Sequence, residues 1–173
     1  MFRTGELVLY GGTGVCRVED IVQKELPDGT RDYYVLQPLY QDCVISTPVN
    51  STKVFIRSVI TREQAEELID KIPSVKAKAY HNRVLRQLAE HYEQSLKSHD
   101  CEDLVKLTMS IYAKKQDMIR QNRKFGAVDE RFMKRAEELL FGELGAALGI
   151  DKDEVPDYIA ARVGDIKGAA SGE

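Results

Sequence analysis

Hydrophobic and polar positions follow one period up to about residue 58 and another from residue 61 onward. In the first stretch apolar residues alternate loosely with polar ones in short runs, rich in β-branched and aromatic types, as half-buried strands require. The pattern predicts strands over 6–10, 14–24, 31–37, 41–47 and 53–57. "LPDGT" at 26–30 marks a tight turn, with Pro27 pre-set for the bend and Gly29 free to take positive φ. "PLYQD" gives the next reversal, and Pro48, which has no N–H for a ladder, ends the fourth strand. Five short strands in so few residues predict a small barrel or strongly bent sheet of the SH3/Tudor kind.

From Thr61 the period becomes helical. "TREQ" fits a capping box, and Ala65, Leu68, Ile69 and Ile72 follow at helical spacing until Pro73. A second helix is predicted over 76–97, with Val84, Leu85, Leu88, Ala89, Tyr92 and Leu96 on its buried stripe. Asp100 is a good N-cap for a third helix carrying Leu104, Val105, Ile111 and Tyr112. Asp129 is expected to cap a fourth, running through Phe132, Met133, Ala136, Leu139 and Leu140 to a terminating Gly149. A short fifth helix is expected over 151–163. The fold class is therefore α+β: a β-barrel domain at 1–60, a helical domain at 61–164 and a frayed tail at 165–173. Leu88, Tyr92, Leu104, Ile111, Phe132 and Leu140 form the expected helical core.

The stretch "GGTG" at 11–14 raises the question of a phosphate cradle. A P-loop needs Lys and Ser/Thr after its last glycine, opening a helix, and a dinucleotide fingerprint also needs a helix there. Here Gly14 is followed by "VCRVEDIV", a strand pattern. A turn between paired strands accounts for the glycines.

Composition adds further bounds. The chain has 173 residues, 43% hydrophobic and 31% charged, which is enough for a core and a soluble surface. No apolar run approaches the ~18 residues of a membrane span, and no signal peptide opens the sequence, so a cytoplasmic monomer is expected. Cys16, Cys43 and Cys101 are far apart and lack a CxxC, which predicts small buried thiols rather than disulfides or zinc ligands. His81 and His91 are about 15 Å apart along one predicted helix, too far to share a metal. "HDC" at 99–101 reads as a capping junction, because triad members meet through folding and not as sequence neighbours. Glu137, Glu138 and Glu143, beside Lys134 and Arg135, read as a solvated face. No catalytic set, cofactor or metal site is expected.

Charge is uneven. Residues 61–125 hold 13 basic against 10 acidic side chains, whereas residues 126–173 hold six against 11. Two basic clusters stand out in the middle of the chain. Lys76, Lys78, Arg83 and Arg86 gather with Tyr80, His81 and Asn82 at the start of the second predicted helix. Lys114, Lys115, Arg120, Arg123 and Lys124 lie toward the end of the third. Such clusters either hold nucleic-acid phosphates, with a ring pressing on bases, or simply keep helix faces solvated.

The order of motifs through both halves narrows the choice. "GELVLYGGTGVCRVEDI", "DYYVLQPL", "VISTPVNS" and "VFIRSVI", followed by "LKSHD", "SIYAKKQ" and "DERFMKRAEELLFGELGAALG", resemble the CarD-type bacterial transcription regulators over residues 2–150. The resemblance implies a Tudor-like module that binds the RNA polymerase β subunit, as in transcription-repair coupling factors. It also implies a helical domain that contacts promoter DNA at the upstream edge of the melted region and tunes the open complex without catalysis. Lys24, Val44, Ser46 and Pro48 are then the expected polymerase contacts. Lys78, Tyr80, His81, Arg83, Arg86, Lys114, Lys115, Arg120, Arg123 and Lys124 are the expected DNA contacts. The sequence departs from the family at Ser46, where arginine is frequent, and in lacking tryptophan, which many members wedge at the DNA fork. Tyr80 or His81 is expected in its place. The alternative is a polymerase-bound adaptor whose helices meet no DNA; a hydrolase using His99 and Asp100 is a remote third.

Overall fold

A computed structural model describes residues 1–171, with side chains as far as residue 164. The chain divides into two units, Met1–Ile60 and Thr61–Glu173, each taken by itself below.

The first unit is one antiparallel sheet. Strands β1 (Leu7–Tyr10), β2 (Gly14–Leu26), β3 (Gly29–Pro38), β4 (Ile45–Pro48) and β5 (Ile56–Ser58) lie in the order β4-β3-β2-β1-β5. The sheet is open rather than the closed barrel expected, because β4 and β5, only four and three residues long, end it on opposite sides. β4 begins later than the residue 41 expected from sequence. Gln37 donates from Nε2 to the Pro38 and Gln41 carbonyls, folding 37–41 into a turn that delays pairing until Ile45.

One face of the sheet holds the core: Val8, Cys16, Val18, Tyr34 and Leu36, edged by Phe2, Tyr10, Ile21, Ile45, Val49 and Ile56. A bulge between Val18 and Asp20 in β2 makes this possible. Strict alternation from Val18 would turn Asp20 inward; the extra residue resets the phase so that Ile21 faces Tyr34 instead. Cys16 is buried here, which pushes its thiol up to about 11, with Cys43 adding a smaller upward effect. Cys101 is buried too, but Cys43 is exposed, contrary to the expectation of three buried thiols.

"GGTG" is a turn. Gly11–Thr13 make one 3-10 turn between β1 and β2, with Gly11 at φ 45° and Gly14 at φ 95°. Gly11 also donates its N–H to the Phe55 carbonyl at 2.8 Å, and a Cβ there would stand 2.7 Å from Val54 Cγ1. Gly11→Ala is expected to destabilise the sheet unit by about 1–3 kcal/mol through left-handed strain and the clash, measurable by urea denaturation.

The second unit contains α1 (Arg62–Lys71), α2 (Leu85–Lys97), α3 (Cys101–Arg120), α4 (Ala127–Leu148) and α5 (Val155–Ser171). Thr61 and Gln64 form the capping box, Asp100 caps α3 through the Glu102 N–H at 2.8 Å, and Gly149 closes α4 in the left-handed conformation. All six expected core residues, from Leu88 to Leu140, are buried. α5 is tied to α1 by the paired hydrogen bonds of Arg162 to Asp70 (2.6 and 3.0 Å), which hold the Asp70 carboxyl below its ordinary range. α5 also runs past the expected end at residue 163. Of the tail expected at 165–173, the last two residues lie outside the described part.

Four further expectations change. α2 starts at Leu85 rather than residue 76, so Val84 and Leu85 are exposed instead of buried. Tyr112 is exposed as well. Asp129 is no cap, since α4 begins after Gly126 and Asp129 lies inside it, buried. Glu143 does not belong to a solvated face; it is fully buried. Among the described residues no helix is long and apolar enough to cross a membrane, and no cluster of metal-ligating side chains occurs.

Candidate functional site

Each unit carries one candidate surface. On the sheet, the face opposite the core is set by register: Lys24 pairs with Arg31, Val22 with Tyr33, Val35 with Ser46 and Tyr33 with Pro48. Three strands therefore place Lys24, Tyr33 and Ser46 side by side. Lys24 Nζ donates to Ser46 Oγ at 2.8 Å and lies 4.6 Å from the Tyr33 ring centroid. The ammonium is held over the aromatic face, a geometry attractive by electrostatics. Lys24 and Ser46, which the family pattern suggests as two separate contacts, thus form one polar pair in this chain.

This pair borders the free edge of β4. Val49 N–H donates to the Asp32 carbonyl at 3.0 Å. Hydrogen-bonded and non-bonded pairs alternate along an antiparallel ladder, so Thr47 and Ile45 turn their backbone groups toward β3 and Ser46 turns its own outward. Pro48 offers no N–H, and its carbonyl accepts from Ser51 N–H at 3.1 Å. Val44 precedes the strand and is 66% exposed. The edge thus presents the Ser46 donor and acceptor, an apolar side chain at Val44 and a cation at Lys24. An unpaired edge of this kind accepts an added strand.

The helical unit distributes its basic residues differently from the expectation. Residues 75–84 are not helical. Asn82 Oδ1 accepts the Val84 N–H at 2.9 Å, a local bond that competes with helix formation. Ser110 Oγ donates to the Lys78 carbonyl at 2.6 Å, and the Tyr80 ring stacks on His91 with centroids 3.6 Å apart. These contacts hold the segment against α2 and α3. Lys78, His81 and Arg83 are exposed on it, whereas Tyr80 is engaged with His91. Arg86 stands in the first turn of α2, 3.1 Å from Glu90 and with its side chain 88% exposed.

The side chains that sequence reasoning missed sit between these arginines. Val84 is 50% and Leu85 61% exposed, an apolar pair at a helix start flanked by Arg83 and Arg86. The signal that could have found them is Asn82, whose side chain so often takes the N–H two residues on and sets a helix start there.

The second cluster is thinner than the sequence implies. Lys114 is withdrawn from it. It is 5% exposed and its Nζ lies 3.0 Å from Asp129 Oδ1, which also accepts the Tyr92 phenol at 2.6 Å. The spacing that put Lys114 among basic neighbours also put it on the Ile111 face of α3. Lys115 lies 5.7 Å from the Phe125 ring, and its charge partly opposes the burial that raises the Glu137 carboxyl. Arg120 pairs with Asp117, and Arg123 and Lys124 are exposed beyond the end of α3. His99, with φ 54°, and Asp100 form the turn into α3, as a capping junction requires.

Residues 2–60 match the CarD-like/TRCF RID domain, which covers nearly all of the sheet unit and none of the helical one.

Proposed function

We propose that this chain, whose N-terminal unit is a CarD-like/TRCF RID domain, is a non-enzymatic regulator of transcription initiation. The sheet unit docks on the RNA polymerase β subunit by adding a strand to the edge of β4, with Lys24 and Val44 setting specificity. The helical unit then offers Arg83, Val84, Leu85 and Arg86 to promoter DNA at the upstream edge of the melted region. The observation that carries the reading is the domain match over residues 2–60, on a unit whose β4 edge is free. The DNA part is supported by the apolar pair between two exposed arginines, since proteins that unstack base steps insert leucine-like side chains flanked by cations. Leu85 replaces Tyr80 in this role, because Tyr80 is stacked on His91. Tethering raises the local concentration of the helices at DNA, so weak intrinsic affinity suffices in a chain with net charge −3.

The test is open-complex half-life at two salt concentrations with the regulator at saturation. Arg83→Ala with Arg86→Ala is expected to shorten it and to reduce the salt slope by about 2, one for each phosphate no longer neutralised. Leu85→Ala is expected to shorten it with the slope unchanged. The pairing of Arg86 with Glu90 and the burial of Lys114 favour the adaptor alternative, in which the helices meet no DNA. Half-lives equal to wild type at both salts, with polymerase binding retained, would establish the adaptor.

A further inference from the structure

The helical unit contains a groove that shares only Lys78 with the residues expected to meet DNA and none with the polymerase contacts. It lies between segment 75–78 and helices α2 and α3, with a volume of about 580 Å3. That size falls among small-molecule sites, which run from about 300 to 1,000 Å3. We infer that this groove binds a small phosphorylated molecule of mononucleotide size.

Three lysines, Lys76, Lys78 and Lys106, are among its lining residues, with Asp103 the one acidic residue. Lys76 and Lys78 have no ion-pair partner among the described residues. Lys106 meets Glu102 at 3.9 Å on an exposed helix face, an approach that water and salt weaken. The three charges are therefore available, and ammonium groups donate to phosphoryl oxygens as compact point charges. Val75 and the buried Leu107 add an apolar part to the lining, where a ring or other flat moiety attached to the phosphates can rest. The wall is built rather than incidental. Ser110 fixes it to α3 at the Lys78 carbonyl, and Tyr80 fixes it to α2 by stacking on His91.

Lys78 is shared with the expected DNA contacts, so the test is placed on Lys76 and Lys106, which lie outside them. Isothermal titration of the full chain at low salt tests it, with ADP and inorganic pyrophosphate as probes. Saturable one-site binding of ADP is expected, weakened about tenfold or more in Lys76→Gln with Lys106→Gln, as expected for the removal of two charge-assisted hydrogen bonds. Both positions are exposed, and circular dichroism will verify that the variant folds. Absence of binding by both probes, or equal affinity in the double variant, overturns the inference. So does a promoter-fork oligonucleotide that loses affinity in the double variant while neither small probe binds, which assigns the groove to DNA phosphates.

Discussion

Asp129→Ala will destabilise the helical unit by about 3–5 kcal/mol, because it leaves Lys114 buried with no partner for its charge. Asp129 receives both the Lys114 ammonium and the Tyr92 phenol, so one carboxylate joins α2, α3 and α4. Both members of the ion pair are at most 6% exposed at the side chain, and water cannot replace the missing partner. Burial and the carboxylate together hold the Tyr92 phenol well above its ordinary range. Tyr92→Phe removes that donor and leaves the ion pair, at an expected cost of about 1.5–3 kcal/mol. Replacing both charges in a Tyr92→Phe background, as in Lys114→Met with Asp129→Ala, should recover much of the stability lost by Asp129→Ala, since an apolar pair avoids the desolvation penalty and no phenol is left without its acceptor. Urea denaturation followed by circular dichroism at 222 nm, read at about pH 7, measures all three. A triple variant as unstable as Asp129→Ala alone would mean that the pair itself, and not the orphaned charge, carries the stability.

Ser46→Pro is expected to reduce binding of the polymerase β subunit by at least about tenfold, or ~1.4 kcal/mol. Backbone direction is the reason. The Ser46 N–H points away from β3, so its removal leaves the internal ladder intact, and proline is tolerated at an outer strand. An arriving strand, however, forgoes one main-chain hydrogen bond and meets the pyrrolidine ring. Ser46→Ala keeps the N–H and removes only the Lys24 hydrogen bond, so it should bind close to wild type. Titration of an isolated β-subunit fragment, with circular dichroism to establish folding, gives the comparison. Unchanged affinity in a folded Ser46→Pro chain would move the docking surface to the β5 edge.

Local signals wrote much of this structure into the sequence, and long-range ones escaped it. The Thr61 capping box, the Asp100 cap and the terminating Gly149 depend on residues within one turn of each other, and each stands where its sequence signature predicts. The β2–β3 hairpin likewise follows from Pro27 and Gly29, with Leu26 paired to Gly29. The true start of α2 is masked because "KAKAY" has good helix propensity; Asn82 signals it locally, but the contacts that hold 75–81 out of the helix come from a distance: Ser110, 32 residues beyond Lys78, and His91. Lys114 and Glu143 look like surface charges, and Asp129 like a helix cap, for the same reason. A buried ion pair between α3 and α4 has no signature within either helix. The candidate edge was legible only in outline. That Ser46 faces outward depends on the phase of the β3–β4 ladder, which a bulge or a one-residue shift in the turn would reverse.

The uneven burial of the three cysteines makes the unmodified chain its own reporter. Cys16 and Cys101 are enclosed, and the raised Cys16 thiol has little thiolate at neutral pH. A maleimide dye will therefore label Cys43, two residues ahead of β4. Its emission would register any strand that docks on that edge in real time, in a protein carrying no engineered residue.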